Sequence, residues 1–183
     1  MNWILPGTVI PARREEADKT CDLFQSMFLP GGMVLGQVSN ISGLEPYMIQ
    51  NWVKRGFLAP PRGKRYTLRQ LCRILNINML KGVLPMERVC AMLGYINGQL
   101  DDDSDDTIDD SRLYFMFVRL AAHAKQIDRN QAWQEAIDQV LQDYDEPIPG
   151  ARERIAQVLR IMLIAYIAAR MKEQAETLLM EIM

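Results

Sequence analysis

The chain has 183 residues, 49% of them hydrophobic and 24% charged, with a formal net charge of −2; this composition fits a soluble globular protein long enough to bury a real core. The longest apolar run, Ile161 to Ala169, is closed by Arg160 and Arg170 and is too short to span a bilayer, so no membrane partner is expected. Three scattered cysteines, Cys21, Cys72 and Cys90, exclude a disulfide framework and read as reduced, buried thiols; with no basic-then-apolar leader at the start, a cytoplasmic protein is expected.

In chain order, a start marked by proline and glycine leads to a predicted helix from Glu15 to Phe28, with Leu23, Phe24, Met27 and Phe28 on one side and Pro30-Gly31-Gly32 ending it. Two short helical patterns follow, 34–41 and 45–55, separated by Ser42-Gly43. Residues 57–66 read as a proline-broken hairpin. Thr67-Leu68-Arg69-Gln70 has the form of a capping box, and the helix it opens carries Leu71, Ile74, Leu75, Met79 and Leu80 before stopping at Gly82. Pro85 opens another helix, 86–96, with Val89, Met92, Leu93 and Ile96 inward. Asp101 to Asp110 forms an acidic linker. Three helices follow, at about 111–126, 130–144 and 151–182, the last two separated by Pro147, Pro149 and Gly150. No run alternates with period 2 and no repeat recurs, so the fold class is all-α with one small β-hairpin.

The small net charge hides an asymmetry. Residues 37–88 hold nine Lys/Arg against Glu45 and Glu87, whereas residues 101–183 hold nine basic and seventeen acidic residues. Only the first unit suits a polyanion. Within it, Ser39 and Gly43 supply the small residue and tight turn that a helix-turn-helix needs, and Val38, Leu44, Ile49 and Trp52 fall at its interlocking positions. Pro46 sits in the first turn of the second helix, where its missing N–H costs little. The other face of that helix, Glu45, Tyr47, Gln50, Asn51 and Lys54, is polar; Gln and Asn can pair with adenine edges in a major groove. Arg55 adds a cation at the end of the helix. Arg62, Lys64 and Arg65 on the following turn suit phosphates, with Tyr66 beside them as an aromatic that either stacks or packs. Trp52 is expected in the core.

The stretch "NWVKRGFLAPPRGKRYTLRQL" resembles the DNA-binding domain of the MerR family, in which a helix-turn-helix precedes a "YYE..GLL.P.R" segment, a wing ending in an aromatic, and two more helices. Asn51-Trp52-Val53 stands where that family has an aromatic pair and an acid, Gln50 replaces the usual arginine, and the wing is shorter. "MIQNWVKRGFLAPPRGKRYT" is also similar to the "MINNYVKLKLIPPPVKKKYT"-like cores of uncharacterised Firmicute proteins carrying a MerR-like domain; the resemblance covers roughly residues 25 to 97. It implies a transcription factor that binds double-stranded DNA. The organisation expected is an N-terminal helical segment (1–33), a MerR-like winged helix-turn-helix (34–98), an acidic linker (99–110) and a C-terminal helical bundle (111–183).

Other constellations carry less. An EF-hand loop beginning at Asp101 would need glycine and glutamate where Asp106 and Arg112 stand, so 101–110 reads as a solvated linker into a helix capped by Asp110 or Ser111. His123 is the sole histidine and has no partner ligands, so neither a metal nor a cofactor is expected. No catalytic motif appears, and an enzyme is not expected. The broad apolar belt at 155–169 suggests a homodimer interface, and the aromatic and methionine content of the bundle leaves room for an unidentified small-molecule effector. The rival to DNA binding is a protein-interaction adaptor on the same fold; a third reading is a ligand-binding protein whose DNA-binding half is vestigial.

Overall fold

The computed structural model describes residues 3–98, 100, 107–124 and 130–183. Among these residues the chain is mostly helical: α1 (Thr20–Phe28), α2 (Leu35–Ser42), α3 (Pro46–Lys54), α4 (Leu68–Leu80), α5 (Met86–Asn97), α6 (Asp110–His123), α7 (Asn130–Val140) and α8 (Ala151–Glu181). A 3-10 stretch, Arg14–Lys19, takes the first part of the helix expected over 15–28. In α1 only Phe24 of the expected inner face is fully buried, and Leu23 is exposed. The capping box at α4 is present: Thr67 Oγ1 accepts the Gln70 N–H at 3.2 Å, and Gln70 Oε1 accepts the Thr67 N–H at 2.9 Å.

Of the hairpin expected over 57–66 only the tip forms, and the two-stranded sheet lies elsewhere. Residues 57–66 form an arm with one bridge between Arg62 and Arg65 and another from Tyr66 to Met33. Pro60 and Pro61 have no N–H to give a ladder. The antiparallel sheet lies instead at the start, where β1 (Trp3–Ile4) pairs with β2 (Pro11–Ala12). Strands of two residues leave no alternation to read. Long-range bonds hold this hairpin down: Trp3 Nε1 donates to the Tyr166 hydroxyl at 3.1 Å and the Tyr114 hydroxyl donates to Pro6 O at 2.9 Å. Arg14 Nη1 then donates to Ala121 O and Ala122 O, closing the C-terminus of α6.

The buried apolar residues form one cluster that spans both halves of the chain. At its centre is α4, whose Leu71, Ile74, Leu75, Ile77 and Leu80 are fully buried and which packs most heavily on α6. The described end of the acidic segment contributes Thr107, Ile108 and Asp110 to this core. Asp101 to Asp106 lie outside the described residues, but Thr107 and Ile108 are buried, and Asp110 is 1% exposed. Arg73 Nη1 donates to the Asp110 carboxylate at 3.2 and 3.4 Å, and Arg73 Nε donates to Phe57 O at 3.1 Å. Asn76 Nδ2 adds a bond to Asp110 O at 3.2 Å. Burial pushes the Asp110 carboxyl up, and the neighbouring guanidinium of Arg73 pulls it back. The cap of α6 is therefore Asp109, whose Oδ1 accepts the N–H groups of Ser111 (2.6 Å) and Arg112 (3.0 Å).

The apolar belt of α8 is used first by the chain's own core. Ile155, Val158, Leu159, Met162, Leu163, Ala165 and Tyr166 are buried against α4, α5, α6 and α7, while Ile161 and Ile164 face outward. No helix among the described residues is long and apolar enough to cross a membrane, and no group of three or more potential metal-ligating side chains occurs among them. His123 is exposed at the end of α6, with Nδ1 2.9 Å from Arg119 O.

Candidate nucleic-acid interface

Helices α2 and α3 meet at a turn fixed from three sides. Gly43 has φ 69° and its N–H donates to Ser39 O at 2.8 Å; a Cβ there would also come within 2.6 Å of Val9 Cγ1. Ser39 Oγ donates to Leu44 O at 2.5 Å, and Ser42 Oγ donates to Val38 O at 2.8 Å. From behind, Asn78 Nδ2 donates to both Gly7 O and Ser42 O, joining the N-terminal hairpin, the turn and α4. The expected interlocking residues Val38, Leu44, Ile49 and Trp52 are all buried. Pro46 occupies the first turn of α3. With Ile49 and Trp52 inward, Glu45, Tyr47, Gln50, Asn51 and Lys54 are all exposed on one side, Tyr47 at 68%.

The arm after α3 is anchored at its base and bare at its tip. Leu58 is buried, and Gln70 Nε2 donates to Ala59 O (2.9 Å) and Pro60 O (3.1 Å), so the capping residue of α4 also holds the proline pair. The tip turns at Gly63 (φ 56°) and Lys64 (φ 63°), with the Arg65 N–H donating to Arg62 O at 3.0 Å. Two successive positive φ values define a type I′ turn, which favours Asn-Gly or Gly at both positions. Lys64 is the one non-glycine residue with positive φ among the described residues.

Tyr66, expected either to stack or to pack, packs. It is 3% exposed, its N–H donates to Met33 O at 2.7 Å and its O accepts the Met33 N–H at 3.0 Å. It seats the arm on the segment before α2 and presents no free face for stacking. Arg55 is exposed but engaged: Nη2 donates to Glu87 Oε1 at 2.7 Å and the guanidinium lies 4.5 Å from the Phe57 ring centroid. The Glu87 carboxyl is lowered, first by its own backbone N–H and then by Arg55. Arg65 Nη1 donates to Gly32 O at 2.8 Å. Lys54, Arg62 and Lys64 make no ion pair among the described residues.

Between the N-terminus of α2, the side of α3 and the arm lies a groove of about 650 Å³, floored by Val34, Leu35, Gly36, Val53 and Pro61, with Gln50 and Lys64 on its rim. Sequence reading did not find Val34 and Leu35, because they reach this site only through the Met33–Tyr66 pairing. The assembly places side chains that can bond base edges beside cations held at a fixed tip, with an apolar strip between them.

Residues 18–117, more than half of the chain, match the domain of unknown function DUF1836. The chain belongs to the DUF1836 family. The matched span runs from just before α1 into α6, so this DUF1836 domain contains the α3 face, the arm and the buried Arg73–Asp110 pair together. A relative, the uncharacterized protein YkrK of Bacillus subtilis (strain 168), is 33% identical over 78 residues, covering 40% of this chain and 34% of its own. The chain thus spans about a third of that relative's length. No solved structure matches.

Proposed function

We propose that this protein is a sequence-specific DNA-binding regulator whose α2–α3 unit and arm act as a MerR-like winged helix-turn-helix. In this reading α3 enters a major groove. Gln50 and Asn51 meet base edges, Tyr47 and Lys54 flank them, and Arg62 and Lys64 contact phosphates beside the groove. The observation that carries the reading is Lys64. A lysine in left-handed backbone at an exposed turn tip, where glycine would be unstrained, has no partner among the described residues that accounts for it. A polyanion would supply the partner. Arg65 and Arg55 contribute secondarily, since each already has an acceptor in the protein.

The test is a fluorescence-anisotropy titration of the purified chain on mixed genomic fragments at two salt concentrations. The reading expects measurable affinity that falls steeply with salt. The exposed Tyr47 and the apolar groove floored by Val34 and Leu35 favour a second reading, an adaptor that receives a protein segment in that groove. That reading expects no salt-sensitive DNA affinity.

A further inference from the structure

The segment before α1 closes the ends of two helices from different halves of the chain. At its tip, the Val9 N–H donates to Ile41 O at 3.0 Å, and Asn78 Nδ2 ties Gly7 O (2.9 Å) to Ser42 O (2.8 Å). Ile41 O and Ser42 O are among the carbonyls that the last turn of a helix such as α2 leaves without helical partners. The Val9 side chain also fills the space that a Cβ on Gly43 would need. At its root, Arg14 Nη1 donates to Ala121 O (2.9 Å) and Ala122 O (2.7 Å), which end α6. Trp3 Nε1 donates to the Tyr166 hydroxyl of α8 at 3.1 Å, and the Arg14 guanidinium lies 5.2 Å from the Trp3 ring centroid.

Between root and tip the segment has little to hold it in shape. Its strands are two residues each, and an isolated two-stranded hairpin is marginal in water. The loop adds only local bonds: the Thr8 N–H and the Thr8 hydroxyl both donate to Leu5 O, at 3.0 and 2.9 Å. Its order comes from the two sets of anchors, and a short segment that needs both loses the second when the first is released. A cavity of about 390 Å³ borders both sets, lined by Pro6, Asn78, Met79, Tyr166 and Arg170. Arg170 Nη1 lies 3.4 Å from the same Tyr166 hydroxyl that Trp3 uses. Residues 3–12 stand outside the 18–117 span matched to DUF1836.

We propose that residues 3–12 are a strap through which α8 controls the order of the α2–α3 turn. Seated on Tyr166, the strap keeps the Val9 N–H on Ile41 O and the Val9 side chain against Gly43. Released there, it withdraws both, and the turn that sets the direction of α3 loosens while α4 stays packed. The coupling is reciprocal, because two sites that stabilise one ordered segment stabilise each other. Cutting the tip at Asn78 loosens Trp3 on Tyr166 in the same way. This proposal does not depend on DNA binding, since it concerns the free chain and residues behind the α3 surface.

The experiment is amide hydrogen exchange on the full chain, read residue by residue by NMR. Tyr166→Phe removes a single oxygen atom and leaves Trp3 Nε1 without its acceptor. It should speed exchange of the Val9 and Gly43 N–H groups about ten-fold, the size of effect that one unsatisfied buried donor carries. The Ile74 N–H in the middle of α4 should exchange at the parent's rate. In the reverse direction, Asn78→Ala should speed exchange of the Trp3 indole N–H, again with Ile74 unchanged. Val9 and Gly43 exchanging as in the parent when Tyr166 loses its hydroxyl would overturn the strap. So would acceleration of Ile74 by the same factor as Val9 and Gly43, which would make the hydroxyl a contributor to overall stability only.

Discussion

The cations of α3 and its arm and the cations of α4 come from one stretch of sequence but have different fates. Lys54, Arg62 and Lys64 stand in solvent with no ion pair among the described residues. On α4, Arg73 is 5% exposed and held by the Asp110 carboxylate, and Arg69 Nε lies 3.9 Å from the same group. The total of nine cations between residues 37 and 88 therefore overstates what a polyanion could meet. A guanidinium with a buried carboxylate partner displaces no counterions from DNA. It joins α4 to α6 instead.

The largest effect should come from breaking the inner set. Arg73→Ala leaves Asp110 buried without its main partner and frees Phe57 O at the root of the arm. Loss of one partner of a buried pair is expected to cost roughly 3–5 kcal/mol. Denaturant unfolding monitored by circular dichroism checks this; a loss under half that size would mean that α4 and α6 hold together by apolar packing alone.

On the outer set, Gln50→Ala and Asn51→Ala should each lose roughly 1–3 kcal/mol on the preferred duplex while keeping most non-specific affinity. Competition titrations on a selected and a scrambled duplex separate the two quantities. Equal losses on both duplexes would remove these residues from base recognition.

Lys64→Gly sharpens the comparison, because it should move stability and binding in opposite directions. Relief of left-handed strain at a non-glycine residue should stabilise the fold by about 1 kcal/mol. Affinity for every sequence should fall, with the salt slope smaller by about one unit. Unchanged binding with raised stability would make the strained lysine a matter of turn chemistry only. The smallest effect is at the boundary between the sets. Glu87→Gln releases Arg55 from its 2.7 Å partner, and the account expects a slightly steeper salt slope with little change in thermal midpoint.

Local signals made much of this legible in the sequence. Thr67 and Gln70 announce the start of α4, Gly43 and Pro46 mark the turn into α3, and the spacing of Val38, Leu44, Ile49 and Trp52 identifies the buried side of α2 and α3. The outward position of Gln50, Asn51 and Lys54 follows from that side. What the sequence left open or missed depends on contacts between distant residues. Tyr66 is buried because Met33 pairs with it, and Asp110 because Arg73 draws it under α4. The hairpin at Trp3–Ala12 exists through Tyr166, Tyr114 and Asn78, none of which a two-residue strand reveals. In α8, the width of the apolar belt obscured that one side serves the core while Ile161 and Ile164 face outward.

The most direct test of the central claim, that the α3 surface and the arm tip are built for DNA, is a salt series on the parent chain and on Arg62→Ala/Lys64→Ala. Both side chains are exposed and make no ion pair among the described residues, so the variant should fold like the parent. The account predicts that log affinity of the parent falls linearly with log salt and that the double variant loses about two units of slope on specific and scrambled duplexes alike. No measurable affinity of the parent at low salt, or a double variant with the parent's slope on both duplexes, would contradict it.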